Sequence, residues 1–208
     1  DCSTRDNHGW SFTGTDAEIL IAENSSLTTL YNGAFSGASS LTEITLPSVE
    51  QIMTYSHSNV GIFKGCQNLK RVSFPALKTA YPYTIFYDAG DSFCQCPSLE
   101  GIEMPVLEEI TMDCIYGYIN APSFKKIILP KTVKKVYWGR LPSFCEINGS
   151  ATRQFDEIIC LATTPPLFET WRGEETLDYV LRVPSECVEA YQAAEDWNKF
   201  KTILPIEE

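Results

Sequence analysis

The sequence has little of the chemistry that catalysis, nucleotide binding or membrane insertion requires. Its only histidines are His8 and His57, and neither accompanies a serine motif and an orienting acid that would make a catalytic triad. No glycine-rich phosphate loop is followed by lysine and serine or threonine. No segment approaches the roughly 20 apolar residues that span a bilayer. Lysine and arginine number 16 against 27 acidic residues, and the resulting charge of −11 argues against a nucleic-acid partner. We therefore expect no enzyme, no cofactor and no membrane span.

A short phrase occurs four times in the middle of the 208-residue chain. Each copy has apolar residues at its first, fourth and sixth positions and proline at its seventh. The first residues of the copies lie 28, 30 and 25 positions apart. Such a period is typical of a solenoid, because each coil can bury its apolar side only by stacking on its neighbours. The four copies are Leu41–Pro47, Leu69–Pro75, Leu99–Pro105 and Phe124–Pro130.

The alternation within each phrase predicts a short strand. In the first copy, Ile44 and Leu46 should point inward, while Glu43 and Thr45 point outward. Pro47 should end the strand, because proline has no amide hydrogen for a ladder. After this corner a second apolar pair predicts another short strand in every coil. The pairs are Val49 and Ile52, Leu77 and Ala80, Leu107 and Ile110, and Val133 and Val136.

Weaker copies extend the repeat in both directions. Towards the N-terminus, Ile19 stands 25 positions before Ile44 and begins a similar apolar run, so we expect it to take the equivalent inward place. Towards the C-terminus, Ile158–Cys160 and Leu181–Pro184 should form later rungs.

The residues from Ser185 to Trp197 predict an amphipathic helix. Ser185 is a suitable N-cap, and Val188, Tyr191 and Ala194 share one helical face. A helix here would close the apolar end that stacked coils otherwise leave open.

The eight cysteines are an even number, which permits disulfides. However, Cys66 and Cys96 each stand three residues before the first leucine of a phrase, where another copy has Ala38. A small buried side chain suits that position, so we expect most of the cysteines to be unpaired core thiols. Cys94 and Cys96 lack the two-residue gap of a zinc knuckle, and we expect no metal site.

Charged residues recur at the outward positions of the predicted strands. Opposite charges on neighbouring strands stabilise a sheet by about 0.2–1 kcal/mol each. We therefore expect ion pairs between coils rather than a charged binding patch. The first strands carry Glu43, Arg71, Gly101 and Lys126 in turn, and on the second strands Glu108 and Glu109 face Lys134 and Lys135.

The repeat resembles that of the bacterial BspA-like leucine-rich repeat family. Phe63–Pro75 reads Phe-x-Gly-Cys-x-x-Leu-x-x-Val-x-Phe-Pro, which is the phrase that carries the resemblance. With a similar C-terminal ending, it extends over about nine-tenths of the chain. Phe124 in place of leucine, and the loss of the Phe-x-Gly-Cys phrase after Pro130, depart from the pattern. The residues of the ending are Thr163–Pro166, Leu181–Pro184, Tyr191, Trp197, Phe200 and Ile203.

The resemblance implies both a fold and a location. We expect a β-rich α/β solenoid, a right-handed leucine-rich repeat superhelix of about seven coils with a C-terminal capping helix. It also implies a secreted or cell-surface protein, associated with the outer membrane of a gut or oral anaerobe and active in adhesion. No catalytic or ligand residue is common to the family. The predicted divisions are an N-terminal cap at residues 1–14, the solenoid at 15–184, and a cap helix and tail at 185–208.

The N-terminus permits two interpretations. The sequence begins without an initiator methionine or a basic-then-apolar leader, so we expect Asp1 to follow processing or trimming. Cys2 could carry a lipid anchor, as in bacterial lipoproteins, or it could belong to the N-terminal cap.

The loops between coils are rich in aromatic residues. Since coils stack, equivalent loops should line one edge and place these rings side by side. Tyrosine and tryptophan offer flat apolar area with a polar group, which suits protein or sugar ligands. Alternatively, half of the rings could fill coil corners. The candidate ligand-binding residues are Tyr55, His57, Tyr81, Tyr83, Phe86, Tyr87, Tyr116, Tyr118 and Trp138.

Three functions fit these features. The first is a non-enzymatic surface or secreted protein that adheres to host or partner-cell proteins. The alternative is a glycan-binding accessory protein of a polysaccharide-uptake system. The third is an architectural module of a larger assembly, which would bind neither class of ligand.

Overall fold

In the described part of the computed structural model, most of the regular secondary structure is short strands. The structure describes residues 16–23, 26–31, 33–52, 62–80, 96–112, 121–138, 145–147, 150–152, 156–170 and 176–207. Near the C-terminal end of the described residues, an α-helix, α1 (Val188–Ala193), follows a 3-10 turn at Ser185–Cys187, and another 3-10 turn lies at Trp197–Lys199. The strands are β1 (Ile19–Ile21), β2 (Thr29–Leu30), β3 (Glu43–Thr45), β4 (Gln51–Ile52), β5 (Arg71–Ser73), β6 (Thr79–Ala80), β7 (Gly101–Glu103), β8 (Glu109–Thr111), β9 (Lys126–Leu129), β10 (Lys135–Trp138), β11 (Cys145–Ile147), β12 (Ser150–Thr152), β13 (Glu157–Cys160), β14 (Leu167–Thr170), β15 (Leu177–Val183) and β16 (Phe200–Pro205).

The strands form parallel sheets that run along a solenoid. The first sheet has the order β1-β3-β5-β7, and the third sheet has the order β9-β13-β15-β16. The second sheet has the order β2-β4-β6-β8-β10-β14 and contains the second strand of each of these coils. It is continuous alongside both the first and the third sheet. A separate antiparallel pair joins β11 and β12. The repeat therefore builds one coil after another, as the sequence predicted.

The register matches the repeated phrase. Ile44 pairs with Val72, and Val72 pairs with Ile102, while in the third sheet Ile127 pairs with Ile158. Strands β7 and β9 are close neighbours, but no ladder joins them among the described residues. We call this break in the ladder the seam.

A single hydrophobic core runs along the coils, formed by the predicted inward positions. Leu41, Leu69 and Leu99 are fully buried. The Phe35 and Phe63 rings of successive coils stack with centroids 5.4 Å apart and planes 11° from parallel. Each coil has apolar side chains at the same inward positions. An inward side chain therefore packs on the equivalent side chain of the next coil.

The register of β1 corrects one prediction. Leu20, not Ile19, pairs with Ile44. Ile19 and Ile21 consequently point outward and are 61% and 57% exposed. Three apolar residues in a row carry no alternation, so the sequence could not fix the phase of this strand.

The predicted cysteine state is confirmed for the cysteines whose side chains the structure describes. The Cys66 thiol donates a hydrogen bond to the carbonyl oxygen of Phe35 at 3.0 Å, and the Cys96 thiol donates to that of Phe63 at 3.1 Å. Burial raises the pKa of Cys66 from 9.0 to about 12, because a thiolate would lose its hydration there. The buried cysteines that form no disulfide are Cys66, Cys96, Cys160 and Cys187.

The C-terminal helix is shorter than predicted. Ser185 lies in the preceding 3-10 turn, and Cys187 takes the N-cap position of α1 without a side-chain cap bond. The helix ends where Ala194 becomes extended and Asp196 adopts a left-handed φ of 66°. The predicted inner face is confirmed, since Tyr191 is buried and both Val188 and Ala194 pack against the core.

The chain then returns to the sheet. Strand β16 pairs in parallel with β15, aligning Ile203 with Leu181. The last described residues therefore add one more rung beside α1, where the sequence predicted only a tail.

Candidate binding surfaces

The second sheet positions the predicted aromatic edge. Ile52 pairs with Ala80, Ala80 with Ile110, and Ile110 with Val136. Strands β4, β6 and β8 therefore end side by side at one edge of the sheet. The aromatic-rich segments follow directly after these ends in the chain. The strand register therefore makes the three aromatic-rich segments begin at the same end of neighbouring strands.

Most of the predicted ring residues follow these strands in the sequence. They lie outside the described residues, so their mutual placement stays a prediction. They are Tyr55, His57, Tyr81, Tyr83, Phe86, Tyr87, Tyr116 and Tyr118.

Trp138 belongs to the interior and not to the predicted edge. It is the last residue of β10 and only 7% exposed. Its ring lies 5.9 Å from that of Phe168, 5.6 Å from Tyr179 and 5.9 Å from Phe200. The sequence placed it in a loop because it follows the second strand, but β10 is longer than β4, β6 and β8 and includes this residue.

An aromatic cluster surrounds Trp138 and closes the C-terminal end. The buried Tyr191 hydroxyl donates to the carbonyl oxygen of Ala162 at 2.9 Å, and the Trp197 indole N–H donates to that of Pro166 at 2.7 Å. The phenol pKa of Tyr191 is raised by burial and by the neighbouring Cys160 thiol, 3.2 Å away. These polar groups are satisfied within the core and have no exposed binding face.

The outward faces carry the predicted ion pairs. Arg71 Nη1 lies 3.1 Å from Glu43 Oε1, and Lys134 Nζ lies 2.6 Å from Glu108 Oε2. The hydrogen bond and charge of Lys134 lower the pKa of Glu108. Lys135 contacts Glu169 at 3.1 Å on the following coil, although Glu109 is also its register neighbour. The expectation of ion pairs between coils is confirmed.

Apolar side chains on the outer face are the feature that sequence reasoning missed. Ile128 is 43% exposed and pairs with half-buried Ile159 on β13. At the same outward position the earlier coils have Thr45, Ser73 and Glu103. The repeated phrase already contained the signal, since its fourth copy has isoleucine where the other copies have polar residues.

The described residues present no cluster of a kind that holds a metal. No three His, Cys, Asp or Glu side chains come together within this part of the chain. Both histidines, His8 and His57, lie outside it. Across the same ranges, no helix combines the length and the hydrophobicity needed to cross a bilayer.

The parallel coils, the shared core and the exposed regular faces define a solenoid repeat protein. More particularly, residues 7–90 match the BspA type leucine rich repeat region, in six copies. The chain therefore carries a BspA-type leucine-rich repeat region, which confirms the family that the repeated phrase resembles. No curated protein matches the chain.

The family indicates the general role. Leucine-rich repeat regions generally serve as non-enzymatic scaffolds for protein interaction, and those of the BspA type are typically at the surface or secreted. A protein-binding role at the surface or outside the cell follows at this level of detail.

Proposed function

We propose that this protein is a non-enzymatic adhesin, exported or held at the cell surface, that binds proteins of a host or a partner cell. The observation that carries the proposal is the parallel second sheet. It ends β4, β6 and β8 at one edge, directly before three aromatic-rich segments.

The chemistry of that edge supports a protein ligand. The segments after Ile52, Ala80 and Met112 supply six tyrosines and one phenylalanine. Tyrosine contributes much contact area for few rotatable bonds and is enriched among the residues that dominate binding energy at protein interfaces. On the coils beside these segments, ion pairs such as Arg71 with Glu43 and Lys134 with Glu108 neutralise outward charges, which favours the loops as the binding surface.

A direct test compares protein and sugar ligands. Labelled protein is presented to immobilised extracellular-matrix proteins and, separately, to a glycan array. Capture by matrix proteins that weakens about tenfold or more in Tyr83→Ala and Tyr87→Ala would support the proposal.

The control is Leu167→Ala, at an exposed leucine on β14 of the same sheet, away from the three loops. This variant should bind as the unaltered protein does. Capture by glycans alone, lost in the same tyrosine variants, would replace adhesion to proteins with sugar binding. Failure to bind in either format would contradict both functions and favour an architectural role.

A further inference from the structure

Acidic and basic residues are concentrated in different parts of the sequence, although the net charge is −11. Residues 6–63 contain six acidic residues and no lysine or arginine. Residues 114–145 contain six basic residues and no acidic one. Because the coils stack in chain order, these two stretches lie in different coils of the solenoid. One molecule thus has an acidic region and a basic region.

The acidic region includes two exposed isoleucines. Ile19 and Ile21 point outward from β1, with 61% and 57% of their surface exposed. Asp16, Glu18 and Glu23 flank them in the chain, and all three are exposed. No ion pair joins these acids to another described residue. We call these five residues the acidic isoleucine patch.

The basic region also includes an exposed isoleucine. Ile128 points outward from β9, 43% exposed, and Lys125, Lys126 and Lys131 around it are all exposed. We call these four residues the basic isoleucine patch. Like the acidic patch, it lies on the outward face of a first strand of its coil.

The local contacts leave the lysines of the basic patch without ion pairs to described residues. Glu157 is the register neighbour of Lys126, but its carboxylate is held by Arg182. Glu103 and Asp156 border the patch, so three lysines stand against two acids. The patch is therefore weakly positive on a strongly negative molecule, and its apolar centre matches that of the acidic patch.

We propose that the acidic isoleucine patch of one copy binds the basic isoleucine patch of a second copy. Each patch offers an exposed apolar centre with charge of the opposite sign around it, which favours contact between unlike patches and disfavours contact between like ones. Since the two surfaces differ, the contact is head-to-tail, and each added copy leaves one free patch at either end. Association therefore continues beyond a dimer unless the geometry closes a ring.

Sedimentation velocity of the full chain tests this association over a roughly hundredfold range of protein concentration. The unaltered protein should form species larger than a dimer as concentration rises. These should weaken in about 1 M salt, where charges are screened beyond about 3 Å. Ile21→Lys and Ile128→Asp alter exposed positions and place in each patch a charge that its partner patch repels. Both should be folded by circular dichroism, with association weakened at least about tenfold.

Mixing the two variants gives the sharpest outcome. Ile21→Lys keeps an intact basic patch and Ile128→Asp keeps an intact acidic patch, so an equimolar mixture should form a one-to-one dimer and nothing larger. Leu167→Asp, at a leucine that is 58% exposed on the second sheet, is the matched control and should associate normally. A protein that is monomeric throughout, a mixture that stays monomeric, or equal weakening by Leu167→Asp would each overturn the proposal.

Discussion

At the scale of single residues, the buried thiols join one coil to the next. Cys66 and Cys96 occupy the place of Ala38, and each donates a hydrogen bond to the phenylalanine carbonyl of the coil before. A thiol fits there because it is small and apolar and has one weak donor. The raised pKa of Cys66 keeps its thiol protonated in the folded chain to higher pH than in the unfolded chain.

Alkaline pH should therefore weaken the fold through Cys66. Below pH 9 the thiol is protonated in the folded and unfolded chains alike, so its contribution to stability is complete. As pH rises from about 9 towards about 12, the unfolded thiol ionises first, and the free energy of unfolding falls. Under reducing conditions, urea unfolding of Cys66→Ala should show a shallower loss over this window than the unaltered protein. Parallel losses in the two proteins would contradict the assignment.

At the scale of the element, the turn before each of the first two phrases depends on glycine. Gly37 and Gly65 adopt φ of 75° and 80°, in the left-handed region that other residues avoid. The turn lets Phe35 enter the core and Leu41 follow it after a few residues.

Gly37→Ala should consequently destabilise the protein by about 1–2 kcal/mol, through strain rather than collision, because no atom lies within 4 Å of the added carbon. Gly101→Ala provides the control, since that strand position also has open space and its backbone is not left-handed. It should be neutral or stabilising by up to about 1 kcal/mol. Chemical denaturation measures both, and an equal effect of the two substitutions would refute the conformational explanation.

The phrase itself supplies the core. Leu99 is fully buried in a central coil, so Leu99→Ala should lower the free energy of unfolding by about 2–5 kcal/mol. Leu167→Ala removes the same atoms from an exposed site and should cost no more than about 0.5 kcal/mol. Urea unfolding of the pair tests whether burial, and not the leucine side chain alone, determines the loss.

The sequence predicted elements best where apolar residues alternate with polar ones. The inward set from Leu41 to Val136 and the rung at Leu181 lie where that alternation placed them, and Ile158 pairs with Leu181 as predicted. Prediction failed for β1, whose three consecutive apolar residues have no phase, and for the end of α1, which depends on the left-handed backbone of Asp196. Strand β16 was missed because a short segment ending in proline carries a weak strand pattern. For the candidate site, the strand register supports one part of the prediction, that the aromatic-rich segments begin at the same end of neighbouring strands. Trp138, which was predicted to belong to the site, lies in the core.

At the scale of the whole molecule, the aromatic cluster closes the C-terminal end of the core. Trp197 is almost fully buried and stacks on Phe200 with centroids 5.8 Å apart, while Tyr191 meets it edge-on at 5.1 Å. The helix and the last strand are therefore held to the coils by rings from three segments of the chain.

Trp197→Ala should lower the free energy of unfolding by about 3–5 kcal/mol, because it leaves a cavity in the middle of the aromatic cluster. Trp197→Phe keeps a ring but leaves the carbonyl oxygen of Pro166 without its indole donor, so it should cost less. Thermal unfolding followed by circular dichroism ranks the two variants. Equal stability of Trp197→Ala and the unaltered protein would show that the cluster does not hold the C-terminal end.

The seam between β7 and β9 makes the solenoid mechanically uneven. A force applied along its long axis is shared by ladders in both sheets between the coils from β1 to β8, but at the seam the β8–β10 ladder is the only one that joins the described strands. Under tension the seam should therefore yield before these N-terminal coils separate, and act as a compliant joint. A tethered protein exposed to flow or shear would stretch there before its coils unravel.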